Sequence, residues 1–121
     1  MPTVSVSLTF PADPSFLRLA RLAAADAGSR AGFTFEDIDD LRIGIDELSH
    51  RLLGGVGTVT ITLDTTDGSV EACGEGTEPG GDDPSEISQA IVAAVVDEHS
   101  FGDRDGHAWF RLVKRGTATT D

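Results

Sequence analysis

The chain has 121 residues, of which 39% are hydrophobic and 25% charged, enough for one domain with a single core and too apolar for a disordered segment. Nine Lys and Arg stand against 21 Asp and Glu, a net charge of −12, which argues against direct nucleic-acid binding because that binding works by neutralising phosphates. The acidity suits either plain solubility or a basic partner surface.

The chain begins MPTVSVSLTF, with no basic start and no long apolar run, so no signal peptide or spanning segment is expected and the cytoplasm is the expected compartment. Val4, Val6, Leu8 and Phe10 alternate with Thr3, Ser5, Ser7 and Thr9, the period of a half-buried strand over 3–10. Asp13-Pro14 supplies a cap and a first-turn proline for a helix. Phe16, Leu19, Ala20, Ala23 and Ala27 form its expected buried stripe, and Gly28 or Gly32 its end. Thr34-Phe35-Glu36-Asp37 reads as a capping box with Asp in place of Glu. Ile38, Leu41, Ile45, Leu48 and Leu52 follow at helical spacing, with Asp39, Asp40, Arg42, Asp46 and His50 opposite.

GTVTITLD (57–64) is a second alternating strand, Asp67-Gly68 signals a tight turn, and Ser69–Cys73 returns antiparallel. Residues 74–85, rich in Gly, Pro and acids, read as loop. Pro84-Ser85 opens a third helix with Ile87, Ala90, Ile91, Ala94 and Val95 as its expected buried stripe. A short strand near His99–Phe101, a turn over 102–106 and a strand over 107–114 follow, and 117–121 is an expected frayed tail. The order strand, helix, helix, hairpin, helix, hairpin gives an α+β two-layer sandwich: one domain over 1–116, a mostly antiparallel sheet of about five strands, and three helices on one face.

Taken alone, the candidate site residues are modest. Glu47 and Arg51 lie four apart on one helix face, an arrangement that fits a base beside a phosphate-binding cation or an ordinary surface ion pair. Cys73-Gly74-Glu75-Gly76 fits close backbone approach to a ligand or a plain strand exit. The single cysteine excludes a disulfide framework, and His50, His99 and His107 have no metal-ligand spacing, so no metal site is assigned. One of Trp109 and Phe110 is expected in the core, with the other facing the opposite side of the strand.

In order and spacing, residues 3–115 resemble the anti-sigma regulatory factors, the serine/threonine kinase-like branch of the histidine kinase/gyrase-type ATPase superfamily. The resemblance is strongest over FPADPSFLRLARLAAADAGSRAGFTFEDIDDLRIGIDELSHRLL. It implies a histidine-kinase-like ATPase fold, ATP and Mg²⁺ as the family's cofactors, and Glu47 as the catalytic base of the E-x-x-x-N box. That box's asparagine, the family's Mg²⁺ ligand, falls on Arg51, which has no lone pair to offer a metal. The family's D-x-G-x-G falls on Ala72, Gly74 and Gly76, so the adenine-reading aspartate is an alanine. The acidic stretch 76–88 carries no recognisable phosphate-cover motif, and Asp82 and Asp83 would repel a triphosphate.

These departures imply a degenerate member with weak or no ATP use, a pseudo-ATPase. Its expected role is to bind and sequester an RNA polymerase sigma factor in a partner-switching pathway, with an anti-anti-sigma (STAS) protein as the releasing partner. Arg21 matches the family arginine implicated in partner contact, and a homodimer is implied through the first strand and helix. Two alternatives stand beside this reading. One is an active ATP-dependent serine kinase acting on the STAS partner, with Arg51 binding phosphate directly. The other is an orphan protein-interaction domain.

Overall fold

The computed structural model describes residues 2–117 and forms every expected element in the expected order. The strands are β1 (Val4–Pro11), β2 (Thr58–Thr66), β3 (Ser69–Gly76), β4 (Glu98–Arg104) and β5 (His107–Arg115). The helices are α1 (Leu17–Arg30), α2 (Phe35–Ser49) and α3 (Glu86–Val95). The sheet order is β1-β2-β3-β5-β4 with every pair antiparallel. Alternate residues of β2, β3 and β5 are buried under the helices, among them Val59, Ile61, Leu63, Val70, Ala72, Phe110 and Leu112. The other sheet face is open and polar, with hydroxyl pairs Ser7–Thr62 and Thr9–Thr60 at 2.8 Å.

Local chemistry sets the boundaries. Asp13 accepts a hydrogen bond from the Ser15 amide at 2.9 Å and opens a 3-10 turn over Pro14–Phe16 that runs into α1. Thr34 and Asp37 form the full reciprocal capping box at the start of α2. The last hairpin turns on Asp105 and Gly106, both at positive φ (53° and 78°), the two-residue geometry that matches strand twist.

α2 buries Leu41, Ile45 and Leu48, with Leu52 in the turn beyond it, as its spacing requires. The other two helices depart from their expected stripes. In α1 the buried row is Leu17, Ala20, Ala24, Ala27 and Gly28, while Phe16 and Leu19 are exposed. In α3 only Val92 is fully buried. Ile87, Ala90, Ile91 and Ala94 are exposed and Val95 is half-buried. The inward row runs instead through Ser88, Val92 and Val96, because α3 meets α2 at Gly44, where a Cβ would come within 2.8 Å of Val96 Cγ1. A bare backbone there admits Val96, and that contact sets the rotation of the helix.

The loop after β3 starts later than expected, since Gly74 and Gly76 belong to the strand. β4 is longer than a short 99–101 segment. Thr117 does not behave as tail: its amide and hydroxyl both donate to Asp37, at 3.0 and 2.8 Å. The rest of the expected frayed tail, 118–121, lies outside the described residues.

Candidate functional site

The end of α2, the core face of β3, the loop 77–85, the first turn of α3 and the far end of β4 converge. Glu47, Arg51, Asp82, Asp83, Ser85 and Ser88 line a half-open hollow of about 270 Å³ there, just under the ~300–1,000 Å³ usual for ligand pockets. Ala72 and Gly74 lie on the neighbouring β3, facing the core.

Arg51 sits in the 3-10 turn that finishes α2, and its side chain is only 3% exposed. Nη1 donates to the Gly102 carbonyl at 3.0 Å and Nη2 to Asp103 Oδ2 at 3.1 Å. Nε lies 3.6 Å from Asp83 Oδ1, a charge contact without a hydrogen bond. The Phe101 ring covers the guanidinium at 5.6 Å. The same residue organises the loop. Gly81 donates its amide to the Arg51 carbonyl at 3.0 Å, and Gly80 donates its amide to Asp103 Oδ1 at 3.1 Å. A Cβ at residue 80 would meet Arg51 Nη2 at 2.6 Å, so the loop closes directly onto the guanidinium. The cation is thereby committed to this chain's own carbonyl and carboxylate groups.

Glu47 is half-buried on α2, and its Oε2 accepts the Ser88 hydroxyl at 2.5 Å. This bond ties α2 to the first turn of α3, which Ser85 caps. Ala72 is fully buried and has no side-chain acceptor. Gly74 has a packing reason for being glycine: a Cβ there would lie 2.1 Å from Phe110 Cε2. The Phe110 ring, 1% exposed, fills the space the glycine leaves. At Gly76 a Cβ would meet nothing closer than 3.7 Å. Phe110 is thus the core aromatic. Trp109 lies on the open sheet face beneath the Arg104 guanidinium, 4.9 Å from its ring centre.

The residues present do not fit a magnesium-chelated triphosphate. Arg51, at the position that the resemblance gives to the metal ligand, is a buried cation; Ala72, at the position it gives to the adenine reader, ends in a methyl group; and Asp82 and Asp83 line the hollow. Among the described residues no three His, Cys, Asp or Glu side chains cluster as a metal site.

Arg21 is not brought to the hollow. It reaches from α1 to α2, and its Nε donates to both Asp46 oxygens at 2.9 and 3.0 Å. Sequence spacing missed Ser88 and Asp103, the groups that occupy Glu47 and Arg51. They stand 41 and 52 residues from those partners, and no local pattern marks them.

Buried charge is also held away from the hollow. Asp37, 1% exposed, has its carboxyl pushed up by burial, but hydrogen bonds from Thr117 and Thr34 outweigh this and hold it below its ordinary value. Lys114 Nζ lies 3.9 Å from it and 3.5 Å from Asp40.

An antiparallel five-stranded sheet with three helices on one face, and a hollow framed by a helix end, a glycine-bearing loop and a third helix, is the histidine-kinase-like ATPase fold. Within that fold the chain resembles the serine-protein kinases RsbW. It is 43% identical to RsbW of Listeria monocytogenes serotype 4a (strain HCC23) over 42 residues, which are 35% of this chain and 27% of that kinase. It is 30% identical to RsbW of Bacillus cereus (strain B4264) over 63 residues, 48% of this chain and 39% of the kinase. A crystal structure of the RsbU and RsbW domains of a Mycobacterium tuberculosis protein superposes with a TM-score of 0.70 at 22% identity, over 94% of this chain and 33% of that one. The chain thus matches well under half the length of these relatives. No protein-family model matches it. Among the described residues no helix is long and apolar enough to cross a membrane.

Proposed function

We propose that this chain is a cytoplasmic anti-sigma-factor-like regulator that works by binding, sequestering a sigma factor in a partner-switching pathway with little or no use of ATP. The observation that carries this reading is self-occupation of the hollow. The Arg51 guanidinium, at the position that the resemblance gives to the metal ligand, is held by Gly102 and Asp103, and the Phe110 ring packs against Gly74 of the glycine motif. The likeness to RsbW kinases supports the regulatory class, and the charge of −12 suits a basic partner. Exposed Val4 and Val6 on the edge strand, with Phe16 in the turn before α1 and Leu19 on α1, support pairing of two copies there. The family arginine, Arg21, bonds Asp46 through Nε, and its Nη donors would meet a partner carboxylate. Two measurements test the reading together: affinity capture from the source cells, and calorimetry with ATP-Mg²⁺. A co-purified sigma factor or STAS protein and no binding heat are expected. Capture of neither protein would overturn the regulatory assignment.

A second reading, an active serine kinase that phosphorylates the STAS partner, is favoured by one observation: Glu47 already accepts a serine hydroxyl at 2.5 Å, the contact a general base makes with its substrate. Calorimetric ATP-Mg²⁺ binding together with phosphate transfer lost in Glu47→Ala would establish it.

A further inference from the structure

α3 turns an apolar face to solvent. Its inward row, Ser88, Val92 and Val96, uses up the contact with α2 and the sheet. Ile87 (76% exposed), Ala90, Ile91 (38%) and Ala94 stand on the other side at i, i+3, i+4 and i+7. That spacing is a continuous helical stripe, and it reproduces the pattern by which one helix recognises another. The two alanines let a second backbone approach closely between the isoleucines. Scattered exposed apolar side chains need no explanation, but an ordered stripe on one helix does.

Charge selects the occupant. The segment 78–103 contains no Lys or Arg, while Glu78, Asp82, Asp83, Glu86, Asp97, Glu98 and Asp103 all lie in it. Beyond the helix's C-terminal end the acids are answered: Glu98 pairs with Arg111 and Arg115, and Asp97 accepts the Arg115 amide. At its N-terminal end Asp82 and Glu86 are exposed, and Asp83, 75% exposed, lies 3.6 Å from Arg51 Nε, a cation whose Nη donors go to Gly102 and Asp103. The stripe therefore runs from an acidic end to a neutral one. A second copy presenting the same segment would bring the same acids against it, and an anionic membrane would be repelled.

We infer that the outer face of α3 is a docking surface for an amphipathic helix of a partner protein, one with an apolar stripe and Lys or Arg residues placed over Asp82, Asp83 and Glu86. Apolar contact along Ile87, Ala90, Ile91 and Ala94 supplies affinity. The acidic end sets the direction in which the partner helix lies. This site shares Asp82 and Asp83 with the rim of the hollow, does not include Arg21, and does not depend on the partner-switching reading.

The test uses the full chain and a fluorescein-labelled synthetic helix with a leucine stripe and lysines at one end, followed by fluorescence anisotropy. Binding that weakens with salt is expected. Ile91→Ser should weaken it about tenfold, roughly 1.4 kcal/mol, and Ala94→Arg should block close approach. Both positions are exposed, and unchanged melting of each variant separates loss of docking from loss of fold. A matched peptide with glutamates in place of the lysines should not bind. Equal binding of both peptides, or of neither, would overturn the inference. So would self-association of the chain that Ile91→Ser abolishes, which would make a second copy the occupant, or capture by phosphatidylserine vesicles with the same dependence, which would make it a lipid surface. None of these outcomes bears on sigma-factor capture, which tests the function proposed above.

Discussion

Replacing Arg51 by Met keeps most of the stem and removes the guanidinium from the centre of the hollow. Two charge-assisted hydrogen bonds are lost, at 3.0 and 3.1 Å, and bonds to charged groups contribute about 1.5–3 kcal/mol each. That ceiling is not reached, because Asp103 is 49% and Asp83 75% exposed, so water resolvates both carboxylates once the cation is gone. What remains is the Gly102 carbonyl left without its donor and the contact with the Phe101 ring, together about 2 kcal/mol. For a domain of this length that corresponds to a melting point lower by about 8 °C. Urea denaturation measures the loss, and amide hydrogen exchange locates it. The Gly80 amide depends on Asp103, which Arg51 positions, whereas the Gly81 amide depends on the Arg51 backbone carbonyl, which the substitution spares. Exchange should quicken more at Gly80 than at Gly81. Stability within about 0.5 kcal/mol of the parent, with Gly80 protection unchanged, would refute the view that this side chain holds the loop closed.

Gly74→Ala should destabilise by about 1–3 kcal/mol through overpacking against Phe110, and Phe110→Leu in the same chain should recover part of it; denaturant melts of the single and double variants decide this. The Asp37 carboxyl is held below its ordinary value of 3.8, so its contribution is fully present above that pH and is lost as pH falls through the lower folded value. The stability gap between the parent and Asp37→Asn, the variant being the weaker at neutral pH, should therefore narrow only as the pH of the melt falls below 3.8. The Arg21–Asp46 pair is half-exposed on both sides, and a double-mutant cycle to alanine should give a coupling of about 0.5–1 kcal/mol. A coupling of zero would mean that α1 is held by its alanine row alone.

The elements were legible because their periods are clean: α2 has one apolar stripe and one charged face, and β2 alternates strictly. The rotations of α1 and α3 were not. In α1, alanines at 20, 23, 24, 25 and 27 satisfy several stripes at once, and only packing against α2 and β2 selects Leu17, Ala20, Ala24 and Ala27. In α3, ISQAIVAAVV is apolar nearly all round, so periodicity cannot say which side the neighbouring helix takes, and the choice falls to Gly44 and Val96. Glu47, Arg51 and Gly74 were reached through spacing, and Ala72 and the roles of all four through family order. What occupies them was invisible, since Ser88, Asp103 and Phe110 meet them only in the folded chain. Gly74 shows how a motif residue can be kept for another reason: its missing Cβ makes room for an aromatic ring.

The clasp between Asp37 and Thr117 spans 80 residues of chain. Until β5 has docked, the first turn of α2 holds a carboxylate that only Thr34 and water can satisfy. The start of the second helix is therefore completed by the last described residue, and a growing chain cannot finish this corner until β5 and Thr117 have emerged. Shortening the chain to end at residue 115 would leave all eight strands and helices intact on paper and still take two hydrogen bonds from a buried carboxylate, leaving it Thr34 and the charge of Lys114.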